Sequence, residues 1–175
     1  ITFGDDTMPG VEIVVPDASF AQEKMEYLHG IILTHGHEDH LGAVPYLWDQ
    51  LRCPVYATPF TAALLRKKIH ENTGKSDCEI IEVPLKGKFD IGPFSVELLS
   101  LTHSMPEPNG LAIRTHFGTI FHTGDWKFDP EPVIGEISDS EALTKLGDEG
   151  VLASIGDSTN VFVEGKSGSE ASLKV

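Results

Sequence analysis

Ile31-Ile32-Leu33-Thr34-His35-Gly36-His37-Glu38-Asp39-His40 decides how this chain is read. Its first four residues predict a short apolar strand. The seven from Thr34 to His40 then hold three imidazoles and two carboxylates. Such groups are costly to bury unpaired, so this is not a core pattern. The physical reading is a metal site at the end of a rigid strand. His35 and His37, at i and i+2 in a tight loop, can point the same way, and Gly36 between them lets the backbone turn. Asp39 and His40 are adjacent at the start of the next helix and face elsewhere, which suits two metals better than one. A histidine cluster without function and a single structural zinc are the competing readings.

Outward from this stretch, strands and helices alternate. Val11–Val15 reads as a strand closed by Pro16, and Ala18–Leu28 as a helix capped by Asp17. After the cluster, Asp39–Leu51 has apolar residues at helical spacing, and Val55–Ala57 is a strand. Thr58-Pro59 supplies an N-cap and an N1 proline for a helix to about Glu71, ended by Gly74. Ile80–Val83, Phe94–Leu101, Leu111–Thr115 and Thr119–His122 read as strands, the last two a hairpin over residues 116–118. Ala142–Leu146 reads as a short helix and Val151–Ile155 as a buried strand. The mixture predicts a layered α/β domain.

The 175 residues fit about one domain. With 40% apolar and 23% charged residues, the composition excludes a disordered tail, a coiled coil and a collagen-like repeat. No apolar run reaches the ~18 residues of a membrane span, so no membrane role is expected. A formal charge of −14 argues against nonspecific attraction to polyanions. The charge is uneven, however. Six of the 13 basic residues lie between Arg66 and Lys88, whereas Asp125 onward has eleven acids and four bases. Cys53 and Cys78 form no metal-type spacing and read as reduced thiols of a cytoplasmic protein. The chain starts with Ile and stops at Val175 in what reads as the opening of another element, so a fragment is expected.

Two metals need further ligands. His103 follows one strand and Asp125 another, and strand ends present side chains at one edge of a sheet. Alone, each also reads as a hydrogen-bonded structural residue; beside the first cluster, both become candidate ligands.

Together, HGHEDH at 35–40, His103-Ser104 after a strand, TGDWKFD at 123–129 and Asp157-Ser158-Thr159-Asn160 resemble the ribonuclease J family, β-CASP ribonucleases of the metallo-β-lactamase fold. Val14–Asp17 and Asp39–Leu47 add to the match. The resemblance implies a metallo-β-lactamase-like αββα sandwich, present in part: residues 1–175 would be its N-terminal portion. A β-CASP insertion would begin near or after the C-terminal end. It implies two zinc ions, or manganese, with His35, His37 and His103 on the first, Asp39 and His40 on the second, and Asp125 bridging both. A later histidine would complete the second ion. The implied activity is hydrolysis of RNA phosphodiesters, as endonuclease and 5′-to-3′ exonuclease, in a cytoplasmic protein that self-associates as a homo-oligomer when full length. Asp39 would orient the nucleophile. Asp157 would support a general-acid histidine beyond this chain; its blander reading is an Asx-turn or N-cap.

The alternative function is hydrolysis of a small ester or thioester, glyoxalase II-like or lactonase, which HxHxDH also permits and the acidity favours. A non-catalytic scaffold is a third reading, against which the intact six-ligand set argues. Other residues read more plainly. Arg66-Lys67-Lys68 is a solvated helix end or an RNA track. Trp126 and Phe128 pack beside the site or stack bases. His122 alternates with buried Phe121 or hydrogen-bonds near the site, and Asp129 caps a turn at Pro130.

Overall fold

The computed structural model describes residues 1–4, 7–73 and 77–173. Two compact units divide the chain, Ile1–Glu82 and Val83–Val175.

In the first unit, β1 (Thr2–Phe3) pairs antiparallel with β2 (Ile13–Val14). The helix expected over 18–28 is α1 (Ser19–Glu23) followed by a 3-10 turn at Met25–Tyr27. β3 (Ile31–Ile32) comes next, and the Leu33 N–H still donates to the Tyr56 carbonyl at 2.9 Å beyond it. The single helix expected over 39–51 is two, α2 (Glu38–Leu41) and α3 (Val44–Leu51). Pro45, in the first turn of α3, has no N–H with which to continue α2, which explains the break. β4 (Val55–Ala57), α4 (Pro59–Thr73) and β5 (Ile80–Glu82) complete the unit. Thr58 stands before α4 as expected, its carbonyl accepting from the Ala62 N–H. Gly74, read as the helix stop, lies outside the described residues.

β3, β4 and β5 form a parallel sheet, with Ile31 opposite Val55 and Val55 opposite Ile80. Parallel neighbours need crossovers, and here helices supply them. The core under the sheet is Leu33, Leu41, Val44, Val55, Ala57, Ala62, Leu65 and Ile69. Cys53 is buried and Cys78 half-buried, and both are free thiols. Burial, then the neighbouring Cys53, pushes the Cys78 thiol up to about 11.

The second unit is a sheet in the order β10-β9-β8-β7-β6. β6 (Lys88–Ile91), β7 (Phe94–Ser100), β8 (Asn109–Thr115) and β9 (Gly118–His122) run antiparallel. β6 was not expected; Lys88-Phe89-Asp90-Ile91 alternates in polarity before the Gly92-Pro93 turn, and that was its signal. α5 (Ser140–Glu149) is longer than read, because Asp139 caps it by accepting from the Ala142 N–H at 3.0 Å. α5 returns the chain so that β10 (Ala153–Ile155) lies parallel to β9. Leu99, Ala112 and Leu146 form a core with Phe121, Ala142 and Leu143 packed on it. The strand at 153–155 is as expected but its burial is not: all three residues are exposed, Ile155 at 55%.

Candidate metal centre

Ligand-type side chains gather where strands end in both units. In the first, the chain leaves β3 through Leu33, Thr34 and His35, all buried. The Thr34 hydroxyl lies 3.0 Å from His35 Nδ1, which fixes the ring and leaves Nε2 3.1 Å from His37 Nδ1. The His35 ring also lies 4.1 Å, centroid to centroid, from that of His40. Asp39 and His40 project from α2, with Asp39 Oδ2 3.5 Å from His40 Nε2. Sequence reasoning gathered these four residues, and the first unit holds them together.

It missed the neighbour that braces them. Lys68 of α4 places Nζ 2.5 Å from Oε1 of Glu38, the residue between His37 and Asp39. The basic run lies within α4 rather than at its end, and Arg66 and Lys67 are exposed as the solvated reading expects, Arg66 pairing with Glu82 at 2.5 Å and Lys67 facing Glu71 at 3.8 Å. No sequence signal marks a pair spaced 30 residues apart.

In the second unit, His103 follows β7 behind a reciprocal clasp. The Thr102 N–H donates to Ser138 Oγ at 2.9 Å, and the Ser138 N–H donates to Thr102 Oγ1 at 3.0 Å. Asp125 follows β9 through a turn in which Gly124 has φ +59°. Glycine suits that left-handed conformation, and its N–H donates to His122 Nδ1 at 2.9 Å. His122 therefore holds the turn that presents Asp125. His103 Nε2 and Asp125 Oδ2 lie 3.8 Å apart.

Asp157 follows β10. Its N–H donates to Thr123 Oγ1 at 3.1 Å, and its Oδ1 accepts from both the Thr159 hydroxyl and N–H. Those two bonds hold its carboxyl below the ordinary range, with smaller help from the Trp126 N–H and the His103 charge. The turn-capping reading of Asp157 thus describes its bonds. It also lines, with His103, Asp125 and Lys166, a cleft of about 680 Å³ within the second unit. Trp126 and Phe128 line the same cleft and are exposed, at 39% and 60%, rather than packed as core. Asp129 caps the Pro130 turn as read, through the Glu131 N–H, but does more. Buried, it also accepts from Ser169 Oγ and the Glu170 N–H, each at 2.7 Å.

The donors suit a divalent metal. Two donors each ~2.1 Å from one tetrahedral ion stand ~3.4 Å apart. The pairs His35–His37, Asp39–His40 and His103–Asp125 are separated by 3.1, 3.5 and 3.8 Å. Imidazole and carboxylate together are the donor set of zinc and manganese sites.

Comparison with known proteins agrees. Residues 6–144 match the model of the Beta-lactamase superfamily domain. A protein named Ribonuclease J from Sinorhizobium meliloti is 46% identical over 97% of this chain and 30% of its own length. Ribonuclease J 1 of Streptococcus pyogenes is 38% identical over 93% of the chain and 29% of its own length. Ribonuclease J of Thermus thermophilus is 35% identical over 99% and 31%. The chain therefore spans under a third of the length of these curated relatives. Zn(2+)-bound PqqB from Methylobacterium extorquens shares the fold, with a TM-score of 0.52 at 18% identity over 80% of this chain and 48% of that one. By its matching domain, this chain belongs to the β-lactamase superfamily, and nearly all of it is similar to the ribonuclease J proteins.

Proposed function

We propose that this chain supplies the metal-binding machinery of a metal-dependent ribonuclease of the ribonuclease J type. One observation carries the reading: the packed imidazoles of His35, His37 and His40 occur in a chain 46% identical, over 97% of its length, to a Ribonuclease J. The ligand pattern of that family, carried onto these positions, puts His35, His37 and His103 on one ion and Asp39 and His40 on a second, with Asp125 on both. Zinc or manganese fits these nitrogen and oxygen donors. When bound, such a pair supplies an activated water and neutralises phosphate charge. Asp39 orients the attacking water, and Asp157 supports the group that protonates the leaving 3′-oxygen; the product keeps a 5′-phosphate. RNA is the substrate, cut internally and from the 5′ end. The free thiols of Cys53 and Cys78 fit the reducing cytoplasm. Among the described residues no helix is long and apolar enough to cross a membrane. Self-association of the full-length protein as a homo-oligomer belongs to the same reading.

The test is the full-length protein assayed on 5′-monophosphorylated RNA, with elemental analysis alongside. About two ions per chain, chelator-sensitive RNA cleavage and 5′-phosphate products are expected. Hydrolysis of thioesters or lactones with no RNA cleavage would replace this reading with the small-ester one.

A further inference from the structure

The turn that carries Asp39 and His40 is poorly able to hold itself. α2 has four residues, a single turn, and its N-cap His37 makes no side-chain cap bond. A turn this short gains little from propagation, and although Gly42 and Ala43 keep a right-handed helical backbone on the way to α3, contacts at its ends help to hold it. At its C-terminal end Leu41, 2% exposed, plugs into the core. At its N-terminal end the described brace is the Lys68–Glu38 ion pair, at 2.5 Å.

Lys68 is well placed for this. α4 is 15 residues long and is anchored by Ala62, Leu65 and Ile69, which are buried in the core of the first unit. The Lys68 side chain is only 26% exposed, so its stem lies against protein and its head is aimed rather than solvated at large. Glu38 is more exposed, at 41%, but a Cβ on Gly42 would overlap both its carbonyl and its carboxylate, so its side chain folds back along its own turn.

We propose that Lys68 is a positioning residue for the Asp39–His40 ligand pair, acting by clamping Glu38 and so fixing the one turn from which both side chains project. This rests on reading Asp39 and His40 as ligands. A competing account treats Lys68 only as a charge. The two accounts differ in sign. A cation near a dication site weakens metal binding through Coulomb repulsion, so its removal should tighten binding. A lost brace should instead loosen binding, typically ~10–100-fold for a group that orients ligands.

The experiment measures stepwise zinc affinity of the full-length protein by competition with a chromophoric chelator, in wild type, Lys68→Met, Glu38→Gln, the double variant and Lys68→Arg. Expected are a loss of about tenfold or more for one of the two ions in each single variant, and no further loss in the double, since the pair acts as a unit. The other ion should stay within about twofold, and Lys68→Arg should restore most of the affinity. Tighter or unchanged binding in Lys68→Met overturns the proposal. So do additive losses in the double variant, or equal weakening of both ions with a lowered melting temperature. Wild-type protein that takes up fewer than two ions overturns the ligand reading and the proposal with it. Two ions in wild type with an unaffected Lys68→Met variant overturns the proposal alone.

Discussion

At the scale of single residues, three of the ligand-type side chains, His35, His103 and Asp125, are held in place by neighbours of plain chemistry. Thr34 orients the His35 ring, Thr102 and Ser138 lock the backbone before His103, and His122 accepts from the turn before Asp125. The ligand assignment gives these sites different weights. In the full-length protein, Asp125→Asn should weaken both ions, His40→Ala mainly the one read as held by Asp39 and His40, and His35→Ala mainly the other. Each loss should be at least about 100-fold, because deleting a ligand costs more than deleting its supporting partner. Titrating metal back into each variant distinguishes them; identical single-ion defects in Asp125→Asn and His40→Ala would argue against a bridging Asp125. The ligand candidates were legible because their chemistry is local: His35, His37, Asp39 and His40 share one loop, and His103 and Asp125 each follow a strand that declares itself by apolar residues. Lys68 was not legible, since its partner Glu38 is 30 positions away and only the fold brings them together.

At the scale of elements, the errors of the sequence reading have a common origin in packing and capping. Asp17 as a cap pointed to one helix before β3, yet α1 has no buried residue to stabilise a longer run. Likewise α2 and α3 share one periodic pattern, and a proline cut it. Asp129 shows the opposite case, a modest cap that became a clamp. It binds Ser169 and Glu170 to the loop after Asp125, forty positions away. The Ser169 hydroxyl, then the Glu170 N–H, holds the Asp129 carboxyl far below the ordinary range, so the clamp is charge-dependent. For a carboxylate with a lowered folded pKa, the stabilisation is complete above the unfolded value of ~3.9 and is lost as pH falls through the folded one. Asp129→Asn should therefore lower the melting temperature of this part of the protein at pH 5–7. The gap to wild type should narrow as pH drops below about 4. A gap that stays constant from pH 7 to pH 3 would remove the charge from the account.

For the whole molecule, the net charge of −14 understates how fully its positive charge is engaged. Of the six bases between Arg66 and Lys88, Lys75 lies outside the described residues, and the other five each sit within 4 Å of a carboxylate. Exposed pairs of this kind add little stability one by one, ~0–1 kcal/mol, but they give each described base of this stretch a carboxylate neighbour. The order of strands in the second unit has a different consequence, in time rather than space. β6 to β9 form a meander whose neighbours are consecutive in sequence, whereas β10 joins β9 only after residues 123–152 have been laid down and α5 formed. Local pairings form early, and those across long loops late. The amides of Leu98 and Leu101, bonded within the meander, should gain protection in pulse-labelled hydrogen exchange before those of Leu152, Thr123 and Asp157, which depend on β10 and its flanks. A nascent chain therefore completes the strands leading to His103 and Asp125 before Asp157 reaches the cleft.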